Sequence, residues 1–155
     1  MPGIVRYGSY VPYFRLTRAA IGGGKGERAV ASFDEDAVSM AVEAARDAVR
    51  GGTPLDAILF ATLSPAYAEK LDTATLQAAL DLPEALASVA LGGSSRMGLA
   101  ALLLGLDLAA AGKRALVCAS DLVTGAPGGA RERDGGDAAV AFVTGPDDEA
   151  IARVL

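Results

Sequence analysis

From Met97 to Ala111 the chain is apolar or glycine at every position except Asp107. No amphipathic stripe can be drawn on such a segment, so a helix here has to be covered on every side. Crossing a bilayer takes about 20 residues, more than this segment offers, and it reads instead as the buried helix of an α/β fold. Gly98 and Gly105 let neighbouring backbones approach it, and Gly112-Lys113 closes it. A helix of this kind needs a large surrounding core. At 155 residues, with 52% hydrophobic and 21% charged positions, the chain can supply one as a single domain over 1–155.

Strand and helix signals alternate around that segment. Residues 3–13 mix β-branched and aromatic side chains and predict a first strand ending near Pro12. An irregular or helical piece and the loop Gly22-Gly23-Gly24-Lys25-Gly26 follow. The loop suggests phosphate binding but lacks a preceding strand, and Gly26 stands where a Walker loop needs Ser or Thr, so a surface loop is expected. Ser32-Phe33-Asp34-Glu35 has capping-box spacing. The helix it would open carries Val38, Val42, Ala45 and Val49 on one stripe and stops at Gly51-Gly52. Leu55 to Thr62 is a continuous apolar run, as in a strand covered on both faces. Asp72 is expected to cap a helix through Leu80 that Pro83 stops. Further strands are expected at 87–91, 115–120 and 138–144, with 151–155 beginning a sixth strand or a linker. Alternation of this kind predicts a mostly parallel sheet with helices on both faces.

Several classes of function drop out. A net charge of −5 without a local Lys/Arg cluster argues against nucleic acid. Residues 1–6 lack the basic-then-apolar pattern of a signal peptide, and with no membrane span expected, the cytoplasm is the expected location. There is no histidine and only one cysteine, Cys118. This chain therefore cannot supply a Ser-His or Cys-His pair, a histidine base, or a thiolate zinc site, and no metal site is expected. Cys118 lies within a buried strand, the setting of an inert packing residue.

A strand entering a buried helix through Gly92-Gly93-Ser94-Ser95-Arg96-Met97-Gly98 resembles the nucleophile turn of thiolase-superfamily enzymes, where a cysteine begins the central helix. Unpaired N–H groups and the helix dipole favour an anion at such a place. Other segments resemble the hydroxymethylglutaryl-CoA synthase branch in the same order: Gly3-Ile-Val-Arg-Tyr-Gly-Ser-Tyr-Val-Pro, Phe33-Asp34-Glu35-Asp36-Ala37 through Val42-Glu43-Ala44-Ala45, Ala119-Ser120-Asp121, and Gly135-Gly136-Asp137-Ala138-Ala139-Val140-Ala141-Phe142. Ketoacyl-ACP synthase III shares these features. The resemblance covers essentially the whole chain. It implies an N-terminal half-domain: a three-layer α/β/α thiolase-like unit with a mixed five-stranded sheet, ordered 3-2-4-5-1 and with its fifth strand antiparallel.

What the family does with these positions is only partly matched. The alignment implied by the resemblance puts Ser95, or alternatively Ser94, where the family has its cysteine. Leu63, in Ala61-Thr62-Leu63-Ser64, stands where the synthase branch carries a glutamate acid/base. The family's histidine and asparagine come from its second half, which this sequence does not reach. Two roles are open to Ser95: helix N-cap, the role serine fills best, or an acylated nucleophile using a base from another chain. Ser94, Arg96, Leu63 and Asp121 are candidate substrate contacts. Asp121 follows a strand end, where α/β sheets carry ligands, though it could equally cap a loop. Lys25, Arg28 and Arg131 are candidates for phosphate contact, or simply solvated cations.

The implied ligand is a CoA or phosphopantetheine thioester, with no covalently bound cofactor. The implied partners are acyl-CoA or acyl carrier protein, with pairing to itself, to a second thiolase half or to a zinc-ribbon/OB-fold protein. If active, the chain would be an acyltransferase; otherwise it is a degenerate, thioester-binding or scaffolding subunit.

Overall fold

A computed structural model describes residues 2–153. Its main sheet uses β1 (Gly3–Tyr10), β4 (Ala57–Ala61), β5 (Ala87–Leu91), β6 (Ala115–Asp121), β7 (Ala138–Gly145) and β8 (Ala152–Arg153), in the order β5-β4-β6-β7-β1-β8. β4 runs parallel to β5 and β6, whereas β7 is antiparallel to both β6 and β1. The order and direction expected for five strands are thus present. The sheet gains a sixth member because Ala152 and Arg153 pair antiparallel with Ile4 and Gly3. The other addition is a hairpin, β2 (Phe14–Thr17) with β3 (Glu27–Val30), in the region read as irregular. The glycine loop joins these two strands after one 3-10 turn, Arg18–Ile21.

α1 (Ala37–Ala48) and α2 (Asp72–Ala79) cover one face of the sheet, and α3 (Met97–Ala110) covers the other. β4 is buried at all its positions because both layers press on it. α1 presents Ala37, Ala41, Ala44, Ala45 and Ala48 to the sheet, all fully buried. Such small side chains bring the helix axis close to the strands. Gly8 of β1 completes that approach: a Cβ there would sit 2.1 Å from the Ala44 carbonyl oxygen.

Three local expectations are corrected. The capping box that opens α1 is Asp36 with Ser39, each side chain bonded to the other's backbone N–H at 2.7 and 2.8 Å. Ser32 and Glu35 form a turn just before it, with the Glu35 carboxylate accepting from Ser32 N–H. α2 has Leu71 at its N-cap, so Asp72 is its first helical residue rather than its cap. α3 is not enclosed: Ala101, Gly105, Leu106 and Ala109 are buried, while Leu99, Leu103 and Leu104 are 55%, 49% and 37% exposed. Its inner contact is tight, since a Cβ on Gly105 would lie 2.5 Å from Val117 Cγ2, and Thr144 Oγ1 donates to the Gly105 carbonyl at 2.8 Å. Gly98 has ordinary space. The helix ends as expected: Gly112, at φ +78°, donates to Ala109 and Lys113 donates to Leu108, a Schellman motif.

A short helix, α4 (Ala130–Asp134), lies in the polar stretch before β7. Its loop is tied to the hairpin by a buried ion pair, Arg28 Nη2 to Asp137 Oδ1 at 3.1 Å. Arg28 is therefore not a phosphate-binding cation on the surface, whereas Lys25 and Arg131 are exposed.

Candidate functional site at the strand ends

The carboxyl ends of the three parallel strands β4, β5 and β6 converge, the place where open α/β sheets hold ligands. The end of β4 is joined to the end of β6 by a small polar network. Asp121 Oδ1 accepts from Thr62 Oγ1 at 3.0 Å, from Leu63 N–H at 2.5 Å and from Ser64 Oγ at 3.2 Å. Ser64 Oγ in turn accepts from Leu122 N–H at 2.8 Å. Leu63 and Asp121, both singled out from sequence, are thus brought together, with Asp121 fixing the loop that carries Leu63. That loop also abuts the turn after β5. Thr62 N–H donates to the Leu91 carbonyl at 3.0 Å, and a Cβ on Gly92 would lie 3.2 Å from the Thr62 carbonyl oxygen.

The turn from β5 into α3 passes through Gly93 at φ +84°, a left-handed conformation that side chains with a Cβ rarely adopt. Ser94, Ser95 and Arg96 follow, with Ser95 and Arg96 exposed. The N-cap of α3 is Arg96, without a side-chain capping bond. Ser94 Oγ instead accepts from Arg96 N–H at 3.3 Å. Ser95 is therefore not the helix cap, and among the described residues its hydroxyl makes no hydrogen bond. Ser94, Ser95 and Arg96 share this turn, but no hydrogen bond links them to Asp121. Beside the turn lies a cavity of about 390 Å3, lined by residues that include Thr62, Leu63, Asp72, Leu91, Gly92 and Gly93.

No family model matches the chain. A hydroxymethylglutaryl-CoA synthase of Pyrococcus horikoshii is 33% identical to it over 156 residues, which take in 92% of this chain and 45% of that protein. A structure of HMG-CoA synthase complexed with CoA superposes with a TM-score of 0.85 at 20% identity, covering 94% of this chain and 42% of that one. The β-ketoacyl-[acyl carrier protein] synthase III of Thermus thermophilus gives a TM-score of 0.81 at 25% identity, covering 92% and 51%. This chain is the N-terminal half of a hydroxymethylglutaryl-CoA synthase-like thiolase fold. It spans about half the length of the relatives it matches.

Sequence reasoning missed three parts of this synthase-like half. Thr62 and Ser64 donate the side-chain hydrogen bonds to Asp121, and Asp72 is buried in the cavity wall. The strand-end position of Thr62-Leu63-Ser64 was the available signal for the first two. Among the described residues no cluster of His, Cys, Asp or Glu could hold a metal ion, and no helix is long and apolar enough to cross a membrane.

Cys118 is fully buried on β6, facing α1, and burial pushes its thiol up from 9.0 to about 12. Only the neutral thiol suits this site, so its contribution to stability is fully present below the unfolded value near 9. It is lost as pH rises from there towards 12. At pH 8 an aromatic disulfide reagent should leave the native thiol untouched and label it only after unfolding. Labelling of the native protein at the free-thiol rate would exclude this packing role.

Proposed function

We propose that this chain is a catalytically degenerate synthase-like half-domain that binds an acyl-CoA or acyl-carrier thioester at the ends of β4, β5 and β6. The observation that carries the reading is the state of Ser95. It is exposed at the turn into α3, lacks a hydrogen-bonded base among the described residues, and belongs to a chain with no histidine. A serine hydroxyl is a poor nucleophile unless a neighbouring base removes its proton. Leu63 removes a second ionisable group from the reading, because an isobutyl side chain cannot pass protons. HMG-CoA synthase in the CoA complex shares this fold, which supports a CoA thioester as ligand, with Ser94, Arg96, Leu63 and Asp121 as the residues bordering it.

The exposed leucines of α3 support a partner laid over that helix: a second copy, a second thiolase half or a zinc-ribbon/OB-fold protein. This gives a second reading a definite form. With a base from such a partner, Ser95 Oγ would attack the thioester carbonyl. The base would take the hydroxyl proton and pass it to the departing thiolate, leaving an acyl-serine and free CoA.

Intact-mass spectrometry separates the two. After incubation with acetyl-CoA and the candidate partner, the mass of the chain should be unchanged. A stable acetyl adduct that disappears in Ser95→Ala would overturn degeneracy and establish the acyltransferase.

A further inference from the structure

Along the outer side of α3 the exposed positions form one stripe: Arg96, Leu99, Leu103 and Asp107, with Leu104 beside them. At 3.6 residues per turn, Arg96, Leu103 and Asp107 lie within about 40° of one another around the helix axis. Arg96 has helical backbone angles, φ −79° and ψ −10°, so the stripe starts at its side chain. The two charges stand about 16 Å apart along the axis, with the leucines between them. Neither makes an ion pair among the described residues. The apolar surface continues onto the edge strand β5. Val89 there is 38% exposed and, as the register partner of Leu59, lies on the α3 side of the sheet.

A stripe with a cation at one end, an anion at the other and leucine between is complementary to its own image turned end for end. We propose that α3 is a self-pairing surface: two copies of this chain pack antiparallel through it about a twofold axis, Arg96 of each facing Asp107 of the partner subunit. In that register Leu103 falls opposite the partner's Ala100, and Leu99 opposite the partner's Leu104. A large side chain thus meets a small one near the centre, which suits helices packed at about 8–10 Å. Antiparallel packing also sets each helix N-terminus beside the other's C-terminus, an arrangement that the helix dipoles favour. Parallel packing would oppose like charges at both ends, so charge selects the antiparallel form. A foreign partner needs its own cation and anion at this spacing; a second copy already carries both. The inference rests on the covered-helix part of the reading above and names the occupant. Thioester binding does not enter it.

The test is sedimentation equilibrium of the purified chain between about 1 and 100 μM, a span that captures micromolar dissociation constants. The wild type should show a monomer–dimer equilibrium. Asp107→Arg sets two arginines face to face at each end and should raise the dissociation constant at least about tenfold. Arg96→Asp should do the same with two carboxylates. Joined in one chain, the two reversals put opposite charges back across the axis, and dimerisation should return to within about threefold of the wild type. Both positions are exposed, and a far-ultraviolet circular dichroism spectrum equal to that of the wild type shows each variant to be folded. A wild type that stays monomeric throughout, a dimer indifferent to the single reversals, or one that the double reversal does not restore overturns the inference. Calorimetric titration with acetyl-CoA keeps the two readings apart: a monomer that binds it overturns only the pairing, and a dimer that does not bind it overturns only the thioester reading.

Discussion

Replacing Asp137 with alanine is expected to lower the unfolding free energy by about 3–5 kcal/mol, the usual cost of breaking a buried ion pair from one side. Asp137 joins three separate pieces of chain. Its Oδ1 accepts from Arg28 Nη2 and, at 2.8 Å, from Val123 N–H, while Oδ2 accepts from Ala31 N–H at 2.8 Å. Without it, the guanidinium of Arg28, itself only 6% exposed, keeps the Glu132 and Val123 carbonyls but loses its counter-charge. Two backbone N–H groups lose their acceptors at the same time. Asp137→Asn should recover only part of the loss, because an amide places a donor where one of those N–H groups needs an acceptor. The measurement is denaturant unfolding followed by far-ultraviolet circular dichroism, as the chain has no tryptophan. A loss below 1 kcal/mol would mean that the hairpin is held by something other than this pair.

Gly8→Ala should be nearly as damaging, at about 3 kcal/mol, the upper end of ordinary overpacking. The added methyl would meet the Ala44 carbonyl oxygen at 2.1 Å, Asp47 Cβ at 2.9 Å and Ala48 N at 3.1 Å, and most of these atoms are backbone. No rotamer change relieves such a contact, so α1 must lift from β1 and loosen the alanine face behind it. In a domain of this size the loss amounts to a fall in melting temperature of roughly 6–12 °C. Gly24→Ala is the matched control, because a Cβ there meets nothing within 4 Å, and its melting temperature should equal that of the wild type. A Gly8→Ala protein that melts with the control would show that α1 does not pack as described.

The parallel strands were legible because burial on both faces writes itself as an unbroken apolar run: Ala57–Ala61 is such a run, and all of it is buried. The β2–β3 hairpin was not. Arg15 and Thr17 face solvent as expected of a polar stretch, but Arg28 points inward, and a charged residue buried against a distant aspartate inverts the pattern that marks a strand. The start of α1 was misplaced by one turn because two capping sequences overlap there. Ser32–Glu35 and Asp36–Ser39 both satisfy the spacing, and only the packing of Ala37 against the sheet selects the second.

At the site, Asp121 was legible from its strand-end position and Leu63 from the resemblance, but the hydrogen bond from Leu63 N–H to Asp121 was not, because it joins the ends of two strands far apart in the chain. The absence of a capping role for Ser95 was not, because N-cap preference is local whereas the turn here is set by Gly93 and by the contact of Gly92 with the end of β4. Asp72 was taken for a cap for the same reason. Asp72 is 3% exposed and shares a cavity wall with Phe60, Leu91 and Gly92 from other strands and turns, an arrangement that no short window of sequence contains.

The outward row of α3 has a chemical consequence for anything that lies against it. Leu99, Leu103 and Asp107 follow one another at four-residue intervals, so a lone carboxylate sits in line with two exposed leucines. A purely greasy counterpart would strip water from that anion and give nothing back. The matching surface must therefore bring an arginine, a lysine or a pair of hydroxyls to the level of Asp107, which ties both the register and the choice of companion to one atom group.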